Sequence, residues 1–315
     1  MVPHDLNHPT ACDVLGVGAN SVDYVNLLPA YPQPQGPSSK MRIRRQAICC
    51  GGQTATAMAT CASFGWKAKY VGATGTDDNG RRVREELVRR GVDTTEAVIR
   101  DAPNQFAVIL VDESTGERIV LWDRDPRLQL RDREVSPDTI AAARLVHVDD
   151  VDEAAAIRAA RLARERGLPV TSDIDRVSDR TEELVRAVTV PIFAEHVPAA
   201  LTGLSDPELA LRKLRSRHPG LLCVTLGARG AMALDGDRLY YSPGFRVHAV
   251  DTTGAGDVFR GGFIHGLLQG WPTDRLLQFA NAAAAASCTR LGAMHGVPTL
   301  DEALAVMETA EVWTA

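Results

Sequence analysis

Residues 251–257, DTTGAGD, combine an anion-binding type of turn with an acidic side chain. Gly254, Ala255 and Gly256 leave the first N–H groups of the apolar helical pattern that follows uncovered, and the helix dipole adds about half a positive charge there. Such a helix start binds anions, and a phosphate is the usual one. Asp257 lies beside that position, where its carboxylate can accept the proton of a hydroxyl group that attacks phosphorus. The stretch therefore predicts phosphoryl transfer to an alcohol.

The same turn also has a purely structural interpretation. A glycine-rich loop before a helix is common, and an acidic residue in the first turn then only complements the helix dipole. Thr252 or Thr253 is expected to cap the helix in either case. The other elements of the chain decide between the two interpretations, because phosphoryl transfer also needs a nucleotide loop and a site for the alcohol.

Length and composition restrict the class of protein. The chain has 315 residues, 45% of them apolar and 24% charged, which is typical of a soluble globular protein. Its net charge of -5 offers no basic field for nucleic acid, and no apolar run is long enough to span a membrane. The polar start MVPHDLNHPT lacks the apolar core of a signal peptide, and the six cysteines include no C-x-x-C pair. We expect a cytoplasmic protein with reduced thiols and with no nucleic-acid or membrane partner.

The first part of the chain predicts strands that form a small separate sheet. Residues 12–28 alternate like a strand that continues past a break, and Pro, Gly and Ser make 29–40 a loop. A further strand is predicted at 41–50, and 105–123 is predicted to be a hairpin around a polar turn. The pattern after Gly16-x-Gly18 is that of a strand and not of a helix, which excludes a dinucleotide-binding loop.

Regular alternation of strands and helices begins near residue 144. Small-residue and charged helices are predicted before it at 54–65 and 79–91, with a strand between them at 67–75. The strands of the alternating part are predicted at 144–150, 168–175, 188–194 and 221–227. Residues 256–312 are predicted to be mostly helical. This alternation is typical of a parallel sheet that helices cover on both faces.

The motifs together resemble the signatures of the ribokinase-like carbohydrate kinases, the PfkB family. DTTGAGD with Gly261-Gly262 resembles the family's second signature, and the segment GGQTATAMATCASFGWKAKYVGATGTDDNG resembles its sugar-binding signature. The resemblance extends over residues 12–300. It implies an α/β fold: a three-layer α/β/α core with a mostly parallel central sheet, and a small β-sheet lid. The whole chain, 1–315, would be a single domain whose lid is formed by segments 20–48 and 104–123.

The resemblance also implies roles for individual residues. Asp257 would be the general base, and the anion hole would be the backbone of Gly254, Ala255 and Gly256. The residues expected to bind the sugar are Asp23, Gly51, Gly52, Gln53, Thr56, Arg124 and Asp149. Thr56 stands where the family usually has asparagine, and a threonine hydroxyl has a shorter reach and fewer donors. This departure leaves the identity of the sugar open.

VTLGARGAMAL resembles the family's nucleotide loop, so the residues expected to bind ATP are Thr225, Gly227, Gly230 and Asn281. Asp251 and Thr253 are expected to contribute to a monovalent-cation site that would take K⁺. The N-x-x-E motif of many members is replaced by the sequence AEHV at 194–197. Two residues are therefore candidates for holding Mg²⁺ through water, Glu195 and Asp175.

The resulting hypothesis is an ATP-dependent carbohydrate kinase that phosphorylates a primary hydroxyl of a ketose, an aldose or a sugar acid. By resemblance it would form a homodimer through the lid. One alternative is a nucleoside kinase of the adenosine type, which the aromatic content of 5% disfavours because such enzymes stack a base. The other alternative is a sugar- or nucleotide-binding protein of the same fold that has lost turnover, which an intact Asp257 disfavours.

Overall fold

The computed structural model describes residues 11–313 of the chain. The strands in this range, in chain order, are β1 (Cys12–Val17), β2 (Ser21–Leu28), β3 (Arg45–Gly51), β4 (Ala68–Val71), β5 (Ala73–Gly75), β6 (Val98–Arg100), β7 (Phe106–Asp112), β8 (Arg118–Asp123), β9 (Ala143–Asp149), β10 (Val170–Asp173), β11 (Ile192–Phe193), β12 (Leu222–Thr225), β13 (Ala231–Asp235) and β14 (Arg238–Ser242).

The α-helices in the same range are α1 (Gln53–Ser63), α2 (Asp78–Arg89), α3 (Pro137–Ala141), α4 (Glu153–Glu165), α5 (Thr181–Ala187), α6 (His196–Thr202), α7 (Pro207–Arg215), α8 (Ala255–Leu268), α9 (Thr273–Ser287), α10 (Ala293–Gly296) and α11 (Leu300–Thr309). Short 3₁₀ turns lie at Pro37–Ser39, Pro126–Leu128, Asp132–Glu134 and Gly227–Arg229.

A mostly parallel sheet forms the centre of the molecule. The strands β4, β1, β9 and β10 are neighbours and run parallel, and β11 pairs in parallel with β12. These two groups meet at a parallel bridge between Ile174 and Phe193, where the Ile174 N–H donates to the Ile192 carbonyl at 3.0 Å. The parallel sheet predicted from residue 144 onward is confirmed. The structure adds an antiparallel edge, in which β13 pairs with both β12 and β14.

Helices cover both faces of this sheet. Successive strand residues point to opposite faces, so neighbouring residues of one strand pack against different helices. On β1, Val14 packs with residues of α1, α2, α8 and α9 in one apolar core. Leu15, its neighbour, packs with residues of α4, α5 and α7 in the other core. Strands that are buried on both sides are rich in apolar residues: β12 has a continuous run, and in β9 the buried His147 interrupts one.

The helix of small residues predicted at 54–65 is confirmed as α1, and its small side chains serve helix packing. A Cβ added at Gly261 of α8 would lie 2.5 Å from the Cβ of Thr60 on α1. The two helices therefore contact each other closely enough that only glycine fits at that crossing. This contact places α8, whose first turn carries Asp257, firmly against the central core.

A second, small sheet lies outside the central one, with the strand order β3-β2-β7-β8. The predicted hairpin is confirmed as the antiparallel pair β7 and β8. The prediction of one strand across 12–28 is wrong, because β1 belongs to the central sheet and β2 to the small one. The strand predicted at 67–75 divides in the same way into β4 and β5. Alternation along the chain does not show the sheet to which each strand belongs.

The decapeptide MVPHDLNHPT, on which the expectation about a signal peptide rests, lies outside the described residues. Between residues 11 and 313, the helices are too short or too polar to cross a lipid bilayer.

Candidate active site

The first turn of α8 has the geometry of an anion-binding helix start. Gly254 precedes the helix with a φ of 79°, and its carbonyl accepts the Val258 N–H at 2.9 Å. Within the described part of the chain, the N–H groups of Gly256 and Asp257 have no hydrogen-bond acceptor. Two backbone donors at the positive end of a helix of 14 residues are thus available to a ligand.

The loop before α8 is held by Asp251, which is buried. One carboxylate oxygen accepts from the Thr253 N–H at 2.9 Å and from its hydroxyl at 2.6 Å. The other accepts from the Gly292 N–H at 2.7 Å. The expectation that Thr252 or Thr253 caps α8 is wrong, because Gly254 occupies the cap position and makes no side-chain cap bond. The threonine hydroxyls instead fix the loop, since that of Thr252 donates to the Gly116 carbonyl at 3.3 Å.

The carboxylate of Asp257 lies in a strongly charged environment. Burial raises the pKa of Asp257 well above its usual range, and the negative charge of Asp173 raises it further. The guanidinium groups of Arg260 and Arg118 act in the opposite direction. A carboxyl group with a raised pKa is a better proton acceptor than a fully solvated one, so this environment suits a general base.

The small sheet brings a second acidic group, Asp23, to the same region. Asp23 on β2 is buried and accepts a hydrogen bond from the Ser21 hydroxyl at 2.8 Å. Burial raises its pKa to about 6, and the charge of Asp251 contributes in the same direction. A Cβ added at Gly51 would lie 2.2 Å from an oxygen of this carboxylate, and one added at Gly52 would lie 2.3 Å from the Cα of Asn20. Gly51 therefore leaves room for the carboxylate of Asp23, and Gly52 leaves room for the backbone of Asn20.

Asp23→Asn is expected to stabilise the protein at neutral pH and to weaken acceptor binding. The folded pKa of about 6 exceeds the ordinary value of 3.8 for an aspartic acid, so the wild type loses stability as pH rises through this window. Asparagine avoids that loss, on the order of 3 kcal/mol, while it can still accept the Ser21 hydrogen bond. Thermal melts at pH 5 and pH 8 test this, together with the KM for the acceptor. A variant that gains no stability at pH 8 relative to the wild type would contradict the expectation.

One residue predicted to bind the sugar, Asp149, is engaged by the protein itself. Asp149 is buried, and its oxygens accept hydrogen bonds from the Ala19 N–H and the Thr54 hydroxyl, both at 2.7 Å, and from the Val151 N–H at 3.1 Å. Burial raises its pKa to about 6. These contacts fix the segment between β1 and β2. They do not support the predicted contact of Asp149 with the sugar, which stays a prediction.

Arg124 and Thr56 also face protein. The guanidinium of Arg124 makes a two-point contact with the buried carboxylate of Asp152, at 2.7 and 3.0 Å, and donates to the Leu128 carbonyl at 2.9 Å. The Thr56 side chain is fully buried, and its hydroxyl has no hydrogen-bond partner among the described residues. Gln53 donates weakly, at 3.4 Å, to a carboxylate oxygen of Asp150. Protein groups thus satisfy Arg124, whereas the Thr56 hydroxyl is buried without a partner among the described residues.

The predicted nucleotide loop lies between β12 and β13. Gly227 has a φ of 58° and open space around it, whereas a Cβ added at Gly230 would lie 2.1 Å from the Ser242 carbonyl oxygen. Gly227 therefore offers backbone to a ligand, and Gly230 permits packing against the end of β14. The Thr225 hydroxyl donates to the Phe193 carbonyl at 3.3 Å. The Asn281 amide donates to the Ser242 carbonyl at 2.9 Å, which fixes the wall behind the loop.

The two residues expected to hold Mg²⁺ differ in their surroundings. Glu195 is exposed and forms an ion pair with Arg229 of the nucleotide loop. Asp175 is exposed just after β10, and within residues 11–313 its carboxylate has no hydrogen bond or ion pair to protein. Its backbone N–H donates to Asp150 at 2.7 Å, which fixes its position at the carboxyl end of the parallel strands.

Sequence reasoning missed two arginines that contribute to this site. Arg118 on β8 donates from Nη1 to the Thr252 hydroxyl at 2.9 Å, so the small sheet contacts the anion-binding loop directly. Arg260 on α8 forms a buried ion pair with Asp173 at 2.8 Å. Nothing in the local pattern marks Arg118. A charged residue within the apolar run of α8, however, is rarely buried without a partner, and this marks Arg260.

Comparison with known proteins agrees with this geometry. The family model described as pfkB family carbohydrate kinase matches residues 20–300. The chain is 32% identical to an ATP-dependent ribose-1-phosphate kinase of Halopiger xanaduensis, covering 93% of this chain and 97% of that protein. It is 26% identical to a ribokinase of Haemophilus influenzae, covering 93% and 98%. Its fold is similar to that of the Arabidopsis thaliana ribokinase solved with ribose and ATP, with a TM-score of 0.77, 22% identity and coverage of 95% and 99%.

The match over residues 20–300 includes both the small sheet and α8, so it covers Asp23, the predicted nucleotide loop and Asp257. The chain therefore has the ribokinase-like α/β fold and belongs to the pfkB family of carbohydrate kinases, phosphotransferases that act on sugars.

Proposed function

We propose that the protein transfers a phosphoryl group from ATP to a primary hydroxyl of a small sugar, with Asp257 as the general base. The observation that carries this proposal is the first turn of α8. There a carboxylate with a raised pKa lies next to backbone N–H groups that have no acceptor among the described residues. A proton acceptor and an anion-binding turn in the same place are the two parts that phosphoryl transfer to an alcohol requires.

The backbone N–H groups of Gly256 and Asp257 stabilise negative charge on the transferring group, and Gly254 and Ala255 shape that turn. Asp257 takes the acceptor proton as the new O–P bond forms. Gly227 gives the nucleotide access to the backbone of the loop after β12. Relatives solved with ATP and with Mg²⁺ support the same donor and metal here.

Mg²⁺, when bound, neutralises charge on the ATP phosphates. The unpaired carboxylate of Asp175 suits an oxygen-seeking cation better than Glu195, which Arg229 already neutralises. Asp251 and Thr253 remain our proposal for a nearby monovalent-cation site that takes K⁺.

The small sheet acts as a lid in this proposal. Asp23 and the glycine pair 51–52 bind the acceptor hydroxyls, and Arg118 links the sheet to the loop before α8. Closure excludes water, which would otherwise accept the phosphoryl group. The outer strand β8 exposes a row of large apolar side chains, Ile119, Val120, Leu121 and Trp122, which are 41–58% accessible. We assign this row to a homodimer interface between two lids in a cytoplasmic enzyme, because such a strand is a liability when it is left uncovered.

A panel of acceptors tests the proposed reaction. ADP formation is measured with purified protein, ATP and Mg²⁺, with and without K⁺, against ketoses, aldoses, sugar acids, sugar 1-phosphates and nucleosides. We expect turnover on one of the sugar classes and little on nucleosides. Preference for a nucleoside would establish the nucleoside kinase instead, and an absence of turnover on every acceptor would favour a binding protein.

A further inference from the structure

A buried ion pair lies behind the anion-binding turn. Arg260 of α8 and Asp173 at the end of β10 are only 4% and 3% exposed, and their nearest atoms are 2.8 Å apart. The pair is not optimised for stability. The Nε of Arg260 and the facing oxygen of Asp173 lack an aligned hydrogen bond within the described residues. Because burying two charges is costly without ideal geometry, stability alone does not account for this pair.

The position of Arg260 connects the pair with the reacting centre. Side chains on a helix lean toward its N-terminus, and Arg260 follows Asp257 by three residues. Its guanidinium therefore returns to the first turn, where Nη1 lies 2.7 Å from the position of a Cβ added at Gly256. A fixed positive charge thus packs directly against the backbone that carries the anion-binding N–H groups.

The charges that face Asp257 come from several elements. Asp173 and Asp175 at the end of β10 disfavour its ionised form, whereas Arg260 on its own helix and Arg118 on β8 favour it. Arg118 is exposed on the small sheet, and among residues 11–313 its guanidinium hydrogen-bonds only to Thr252. Arg260 is buried, so the low local polarity strengthens its interactions and its position does not depend on the lid.

We propose that Arg260 is a positioning residue of the phosphoryl transfer: held by Asp173, it serves as the internal counter-ion of Asp257 and supports the backbone of the anion-binding turn. This inference rests on the proposed function, in which Asp257 is the base. Arg260 does not contact the substrate. It acts by favouring the ionised form of Asp257, against burial and Asp173, and by adding positive charge behind the N–H groups that receive the phosphoryl group.

The proposal predicts opposite effects for the two partners of the pair. In Arg260→Met, kcat is expected to fall about 10- to 100-fold, with KM values for ATP and acceptor within about threefold of the wild type. The acidic limb of the kcat/KM profile should move to higher pH by about one unit, because the charge that favours ionised Asp257 is lost. In Asp173→Asn the acidic limb should move to lower pH. Arg260→Lys should retain part of the activity.

Arg100→Met is the matched control. Arg100 forms a partly buried ion pair with Glu134 at 2.5 Å, and its Nε also lacks a hydrogen-bond partner among the described residues. It lies on β6, outside the proposed site, so its loss should lower the melting temperature and leave the pH profile unchanged.

The wild type and Asp257→Asn are measured beside these variants, which separates the two proposals. An inactive wild type, or an active Asp257→Asn, would remove the proposed function itself. If those two behave as expected, the inference is overturned by an acidic limb that moves in the same direction in Arg260→Met and Asp173→Asn. It is also overturned if Arg260→Met matches Arg100→Met. Should Arg260→Met fail to fold, Asp173→Asn and Arg260→Lys still decide the question by the direction of the shift.

Discussion

Asp257→Asn is expected to lower kcat roughly 10²- to 10⁴-fold while ATP binding persists. Asparagine has nearly the same shape, so the first turn of α8 and its N–H groups keep their arrangement. What is lost is an atom that can accept the proton of the attacking hydroxyl. The experiment measures kcat in a coupled ADP assay and the Kd of ATP by calorimetry. A large fall in kcat with an ATP Kd within about threefold of the wild type is the expected pair of results.

The melting temperature of the same variant gives a second, independent readout. The folded pKa of Asp257 lies above its unfolded value, so ionising this group costs stability as pH rises through the interval between the two. Asparagine has no such cost, and we expect the variant to be at least as stable as the wild type at pH 8. Lower activity together with undiminished stability would separate a catalytic role from a structural one.

Asp274→Asn is a suitable control, because Asp274 is an exposed acidic residue in the first turn of α9. It complements a helix dipole as the structural interpretation would have Asp257 do. The control should leave kcat unchanged. If Asp257→Asn kept turnover within about tenfold of the wild type, Asp257 would be only such a dipole partner.

Features of the fold that depend on residues close together in the chain could be predicted from the sequence. The helix α8 follows from its apolar spacing, and the anion-binding turn follows from the small residues before it. The strands β9, β10 and β12 follow from the regular alternation of short segments with helical segments along the chain. In each case the relevant interactions lie within about one helical turn or one strand, so composition and spacing carry the information.

Features that depend on distant residues were not predictable in this way. The alternation of 12–28 continues through the break after β1, but the pairing of β2 with β7 depends on residues far along the chain. Family signatures placed Asp149 at the sugar, whereas its hydrogen bonds to Ala19 and Thr54 depend on how three segments meet. A sequence pattern shows that a polar group is present, but it does not show which group is its hydrogen-bond partner.

Gly254→Ala should have the second large effect, because both conformation and space restrict this position to glycine. The φ of 79° is unfavourable for alanine. The added Cβ would also lie 2.6 Å from the Cβ and 2.8 Å from the Cα of Ala293 at the start of α10. Either the loop or α10 must shift, and the N–H groups of Gly256 and Asp257 shift with the loop. Since misplacing one oxyanion-type donor costs about 10²- to 10³-fold in kcat, we expect a loss of that size.

Gly91→Ala separates the two causes of this loss. Gly91 has a comparable φ of 82°, but no heavy atom lies within 4 Å of an added Cβ. Both substitutions should therefore lower the melting temperature through backbone strain of about 1–2 kcal/mol. Only Gly254→Ala should also lower kcat, because only there does the added methyl group displace the anion-binding turn. A kcat for Gly254→Ala within about threefold of that for Gly91→Ala would mean that the turn tolerates the shift and that its N–H groups do not set the rate.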